Sequence, residues 1–255
     1  MSIWSRLFGG AGTPPPAAPA PPSQPAALAA LFRTPRVGRD PRWIERFYAA
    51  VPDAPLAAVE PAFHRGPDGF PYRNLDLPPG RGGQATTLRA SLDAILDAGQ
   101  GAVILGGDTT TPEWVFTFGD LLAFDLFGNF NGDPQDGPSH GQNRQIQVAA
   151  GARMLTGSPS ESYFPARARR ALGAYLMGRV AEGSGWRPGI AFVDMEGLQP
   201  RRNLMVNISL EELRGDQAAF DTEMRFIRWF LPRDHGLMPR AGMIEDSAFL
   251  PIGRD

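Results

Sequence analysis

The chain has no cysteine and no lysine among its 255 residues, and its histidines are three: His64, His140 and His235. Without cysteine there is no disulfide, no thiolate nucleophile and no Cys-ligated zinc or iron–sulfur centre. Without lysine, Schiff-base chemistry, the P-loop lysine and the kinase lysine are excluded together, and all 25 basic residues are arginine. Three imidazoles are too few for a His-rich metal centre. No apolar run approaches the roughly 20 residues that a membrane-spanning helix needs. The N-terminus lacks a continuous apolar stretch before a small-residue cleavage site, so no signal peptide is expected and the cytoplasm is the expected location. Basic excess is also missing: the formal net charge is −2, which argues against general nucleic-acid binding.

Hydrophobic residues make up 42% of the chain and charged residues 20%, a globular composition. The length suffices for one large domain or two small ones. The first 12 residues hold Ile3, Trp4, Leu7 and Phe8 at helical spacing around Arg6. Residues 13–25 then carry Pro at 14, 15, 16, 19, 21, 22 and 25, which predicts a disordered, extended spacer. At about 3.1 Å per residue it holds the first ten residues roughly 35–40 Å from the body. Residues 1–25 are therefore expected to be a tethered amphipathic peptide, and 26–255 the folded body.

Within the body, AALAALF (26–32) suits a short helix, and Asp40-Pro41 supplies an N-cap with Pro at the first helical position for a helix over 41–50. Residues 56–79 read as turn-rich, with GPDG at 66–69 reversing two short extended pieces. A helix over 86–98 presents Leu88, Leu92, Ile95 and Leu96 inward and stops at Gly99. AVIL (102–105) is apolar throughout, as a strand covered on both faces is. Residues 113–118 alternate, with Trp114, Phe116 and Phe118 opposite Val115 and Thr117. A short helix, LLAFDLF, follows. The order recurs as a helix over 164–181, strands at 190–193 and 204–208, and a helix over 217–231. The expected fold is α+β, an antiparallel or mixed sheet with flanking helices. It is either one sheet or two α-β-β-α units (84–150 and 160–232), with a C-terminal strap over 233–255.

Four groups of residues invite chemistry. The loop 128–144 gathers Asn129, Asn131, Asp133, Asp136 and His140, oxygen-rich ligands such as a hard cation prefers, although the spacing is not that of an EF-hand. Turn-building is the plainer use of such a composition. GGDTTT (106–111) follows a strand, but Pro112 and a strand come next where a phosphate loop needs a helix. Arg167, Arg169, Arg170, Arg201, Arg202, Arg225, Arg228 and Arg233 form either an anion-reading surface or a salt-bridged helix face. Asp234-His235, with the turn acids Glu161, Asp194 and Glu196, offers a His–carboxylate pair, though neighbouring residues rarely point into one site and no Ser lies in a nucleophile-elbow context.

No family signature is present. In general shape the pattern is similar to small adaptor and secretion-chaperone-like domains, an analogy of architecture alone. The leading expectation is a non-enzymatic binding or adaptor protein without a cofactor. It would recognise a protein partner through exposed residues Phe127, Phe130, Arg225, Arg228 and Trp229, with Trp4, Leu7 and Phe8 as a second, tethered contact. The alternative is a metal-dependent enzyme or metal-binding protein using Asp133, Asp136 and His140. Peripheral membrane contact through Trp4 and Phe8 would be weak, with one Arg beside them.

Overall fold

The computed structural model describes residues 24–77, 83–106, 111–132, 154–179, 186–196, 202–209, 216–240 and 244–252, with side chains from Leu28 onward. The N-terminal peptide and its spacer therefore lie outside the described residues. Helices α1 (Gln24–Phe32) and α2 (Pro41–Ala50) form a hairpin. Asp40 caps α2 by accepting the Trp43 N–H at 2.7 Å, and Trp43 Nε1 donates to the Leu31 carbonyl at 2.9 Å, tying α2 to α1. One turn apart on α2, Trp43 and Phe47 stack on each other and are buried.

The first sheet follows. Strand β1 (Leu56–Arg65) pairs antiparallel with β2 (Pro71–Asp76), so the stretch read as turn-rich is mostly strand. The GPDG reversal joins the two, with Gly69 at φ 84° where a side chain is disfavoured. Strand β3 (Gln84–Thr86) lies on the outer edge of β1. Helix α3 (Leu88–Asp97), capped by the Thr87 side chain, crosses over to β4 (Gly101–Leu105), which runs parallel to β2. Strand β5 (Pro112–Phe116) pairs antiparallel with β4, giving the order β3-β1-β2-β4-β5, and Phe118, expected at the end of this strand, belongs to the next helix. Helix α4 (Phe118–Phe127) then starts with a capping box: Thr117 accepts from the Asp120 N–H, and Asp120 accepts from the Thr117 N–H.

The second half contains β6 (Met154–Gly157), α5 (Ala166–Met177), β7 (Gly189–Met195), β8 (Arg202–Val206), α6 (Gln217–Arg228), β9 (Gly236–Pro239) and β10 (Leu250–Pro251). Its sheet has the order β10-β7-β8-β9, with β6 also paired to β7. Strand β9 is parallel to β8, so part of the expected C-terminal strap belongs to the sheet.

Apart from the short edge strand β3, which lies between β2 and α3, one connectivity occurs twice: α2-β1-β2-α3-β4 and α5-β7-β8-α6-β9. In each, an antiparallel hairpin is followed by a helical crossover to a strand parallel to the second strand. The frame begins at α2, one helix earlier than hydrophobic periodicity suggests. The second strand carries Arg-Asn-Leu both times, Arg73-Asn74-Leu75 and Arg202-Asn203-Leu204, and each Asn is 5% exposed. One apolar cluster runs through both halves, from Leu28 and Trp43 to Leu204, Trp229 and Ile252.

Candidate functional site

Among the described residues, the buried polar side chains Asp120, Asp234 and His235 gather where α4 meets the segment after α6. A close backbone approach creates the junction: the Gly119 N–H donates to the Trp229 carbonyl at 2.9 Å, and there is no room for a side chain between Gly119 and the Leu231 backbone. Asp120 is 2% exposed. Its Oδ2 completes the capping box and its Oδ1 accepts from Arg233 Nε at 2.7 Å. Arg233 keeps 56% of its side chain in solvent, so the ion pair is buried at the carboxylate end only. Burial by itself lowers the Arg233 pKa, but Asp120 and Tyr48 together outweigh that effect and the net shift is upward. Tyr48 of α2 borders the pair, and burial pushes its hydroxyl above the usual tyrosine range.

Beside it lie Asp234 and His235, both buried. His235 Nε2 stands 2.9 Å from the Tyr163 carbonyl, and a carbonyl only accepts, so Nε2 carries a proton there. Nδ1 faces Asp234 Oδ1 at 3.3 Å, and the Tyr163 ring stacks on the imidazole with centroids 4.1 Å apart. Arg228 donates to the carbonyls of Arg233 and His235, holding the turn that carries both residues. Burial lowers the Arg228 pKa. Adjacent in sequence, Asp234 and His235 thus do point together, because this turn folds back on Arg228.

The loop that begins at Gly128 reaches the same place. Gly132, at φ 96°, packs directly on the Asp234 carboxylate, where a Cβ would overlap it. Asn129 Oδ1 accepts from the Asn131 N–H at 2.9 Å, so Asn129 builds a turn. Asp133, Asp136 and His140 lie outside the described residues. Among the described residues, no three His, Asp or Glu side chains are grouped to hold a metal ion.

The residues expected at a partner surface divide. Phe130 is 1% exposed, stacks on Phe124 and Phe116 and meets Tyr48 at a tilt. Trp229 is 7% exposed, stacks on Phe70 at 4.2 Å and donates to the Tyr72 hydroxyl at 2.8 Å. The expectation that these two are exposed is corrected: Phe130 packs inside the first half, against α2, β5 and α4, and Trp229 packs across onto Phe70 and Tyr72 of the first half. Arg228 is spent on carbonyls, as described. Phe127 is half-buried, 6.1 Å from His235 ring to ring, and Arg225 is exposed. Trp4, Leu7 and Phe8 are outside the described residues.

Of the other candidates, most of GGDTTT and Arg201 lie outside the described residues. Arg167 pairs with Asp93 and Asp125, Arg169 with Glu161, and Arg170 with Asp97, the salt-bridged helix face. His64 Nδ1 bonds Asn74 Oδ1 at 2.6 Å, while Asn74 Nδ2 donates to the Pro61 carbonyl at 2.7 Å. Sequence reading missed Asp120 and Tyr48 as members of the junction. The signal for Asp120 was the Thr117-x-x-Asp120 capping pattern. Compared with family models, curated proteins and solved structures, the chain matches none.

Proposed function

We propose that this chain is a non-enzymatic binding protein of the cytoplasm that recognises a protein partner, with the N-terminal peptide as a second, tethered contact. The observation that carries the reading is how the polar junction is used. Both ring nitrogens of His235 and both carboxylate oxygens of Asp120 face partners within the chain. Groups suited to acid–base work thereby fasten the segment after α6, Asp120 tying it to α4 and His235 tying it to Tyr163 before α5. The surface meanwhile retains apolar side chains on strands, Phe63 on β1, Val115 on β5 and Leu155 on β6. Among the described residues no helix is long and apolar enough to cross a membrane. The test is affinity capture with the full chain and with a chain starting at Ala26, followed by reconstitution from two purified proteins. A stoichiometric complex that re-forms supports the reading, and one weakened by the truncation supports the tether. Hydrolytic or transfer activity abolished by His235→Gln, with the fold intact, would overturn it.

A further inference from the structure

The two faces of the second sheet are covered unequally. One face, with Ile190, Leu204 and Val206, joins the main core. The other is lined by Ala191, Val193, Met195 and Met205, with Met154 and Met238 at its margins. Four of the chain's eight methionines thus share one face. The register places Met154 opposite Met195, and Met205 between Ala191 and Met238.

Among the described residues, the cover on this face is Ile244, Ala248 and Phe249, all from the segment 244–252. That segment has one 3₁₀ turn, Asp246–Ala248, and the two-residue strand β10. Leu250 and Pro251 pair antiparallel with Ile190 and Gly189, and the Ile252 N–H donates to the Pro188 carbonyl at 3.0 Å. Main-chain bonds to a strand edge combined with apolar anchors on a face are how extended peptides are bound in trans. Methionine, unbranched and polarizable, re-packs around different occupants at little cost. Ile252 is buried in the main core, which keeps the segment seated when nothing competes.

We infer that 244–252 is a self-ligand, a strap over a docking face. The partner segment this face receives is an extended peptide with a branched aliphatic and an aromatic residue five positions apart, entering as a strand beside β7. The inference rests on the binding-protein reading and names the surface and the chemistry of its partner.

The test uses the full chain and a labelled synthetic peptide of residues 244–252. Phe249→Asp unseats the strap. Gly189→Cys with Phe249→Cys locks it: a Cβ on Gly189 lies 3.0 Å from that of Phe249, a few tenths inside the usual disulfide separation of about 3.5–4.5 Å. The chain has no other cysteine to interfere. The unseated protein is expected to bind the peptide one to one, at least about tenfold more tightly than wild type does, and the oxidised locked protein not at all. No binding to a Phe249→Asp protein that keeps its helix and strand content overturns the inference. Global unfolding of that variant also overturns it, since the strap would then be an integral part of the fold. A partner captured equally by the locked protein overturns this inference while leaving the binding-protein reading intact.

Discussion

Gly119 and Leu231 meet backbone to backbone: the space a side chain on Gly119 would need is filled by the carbonyl oxygen of Leu231. This contact brings the start of α4 under the end of α6 and so sets Asp120 beside Arg233 and the turn that carries His235. Backbone on both sides cannot move away as a flexible side chain can. Gly119→Ala is therefore expected to cost about 3 kcal/mol, the upper end for overpacking, or a melting temperature lower by about 6–12 °C for a chain of this size. Gly128, left-handed at φ 71° with open space around it, is the control. Its replacement by Ala is expected to cost only about 1–2 kcal/mol. Thermal melts of both variants check the ranking, and equal effects would remove the close approach as its cause.

The Asp120–Arg233 pair is expected to be coupled but not strongly. Asp120→Ala removes a capping-box acceptor and an ion-pair member together and is expected to cost about 2–3 kcal/mol. Arg233→Ala is expected to cost about 1 kcal/mol, because more than half of its side chain is in solvent and the pair is correspondingly screened. A double-mutant cycle in urea reads the coupling directly, at about 1 kcal/mol. A value near zero would assign the cost of Asp120→Ala to the cap alone.

How much of this was readable follows from which residues carry a local signal. The start of α2 was legible in Asp40-Pro41 because a cap and a fixed φ act within one turn. Strand β4 was legible as doubly covered because all of AVIL is apolar. Pairing was not: β4 runs parallel to β2 across α3, and no periodicity of either strand names its partner. Strand β1 was hidden by Pro61 and an irregular register around it, and β6, β9 and β10 are too short to show a period of two. The chemistry at Asp234-His235 was visible as a pair of residue types. Its burial was not, since that depends on Tyr163 and Gly132, 71 and 102 positions away from Asp234. Phe130 and Trp229 looked like surface anchors because an aromatic residue in sequence does not declare which side of its element is covered.

At low pH, Glu161 is expected to contribute to the loss of stability. It accepts the Ala166 N–H at the start of α5 and pairs with Arg169, and these two contacts hold its pKa below the ordinary 4.5. A depressed carboxylate stabilises the fold above its unfolded pKa, and that stability disappears as the pH falls through the folded value. Below pH 4.5 the wild type should therefore lose stability faster than Glu161→Gln. Asp125 shifts the opposite way, raised by burial, so the comparison is the difference between the two proteins. Parallel stability curves from pH 6 to pH 3 would exclude a role for Glu161.

Removing residues 1–25 is expected to leave the melting temperature within about 1 °C of wild type, because the described core begins at Leu28, which is fully buried. Leu28→Ala, by contrast, is expected to cost about 2–4 kcal/mol. Scanning calorimetry of the two proteins separates tether from core, and a large loss from the truncation alone would place the first residues in the fold.

The most direct test of the central claim is affinity capture from the source lysate, with the full chain beside the chain starting at Ala26 and captured proteins identified by mass spectrometry. The account predicts one stoichiometric protein partner that re-forms a complex when both components are purified, retained less well by the shorter chain. No protein partner with either chain, together with turnover of a small molecule that depends on His235 or on an added metal ion, would contradict it.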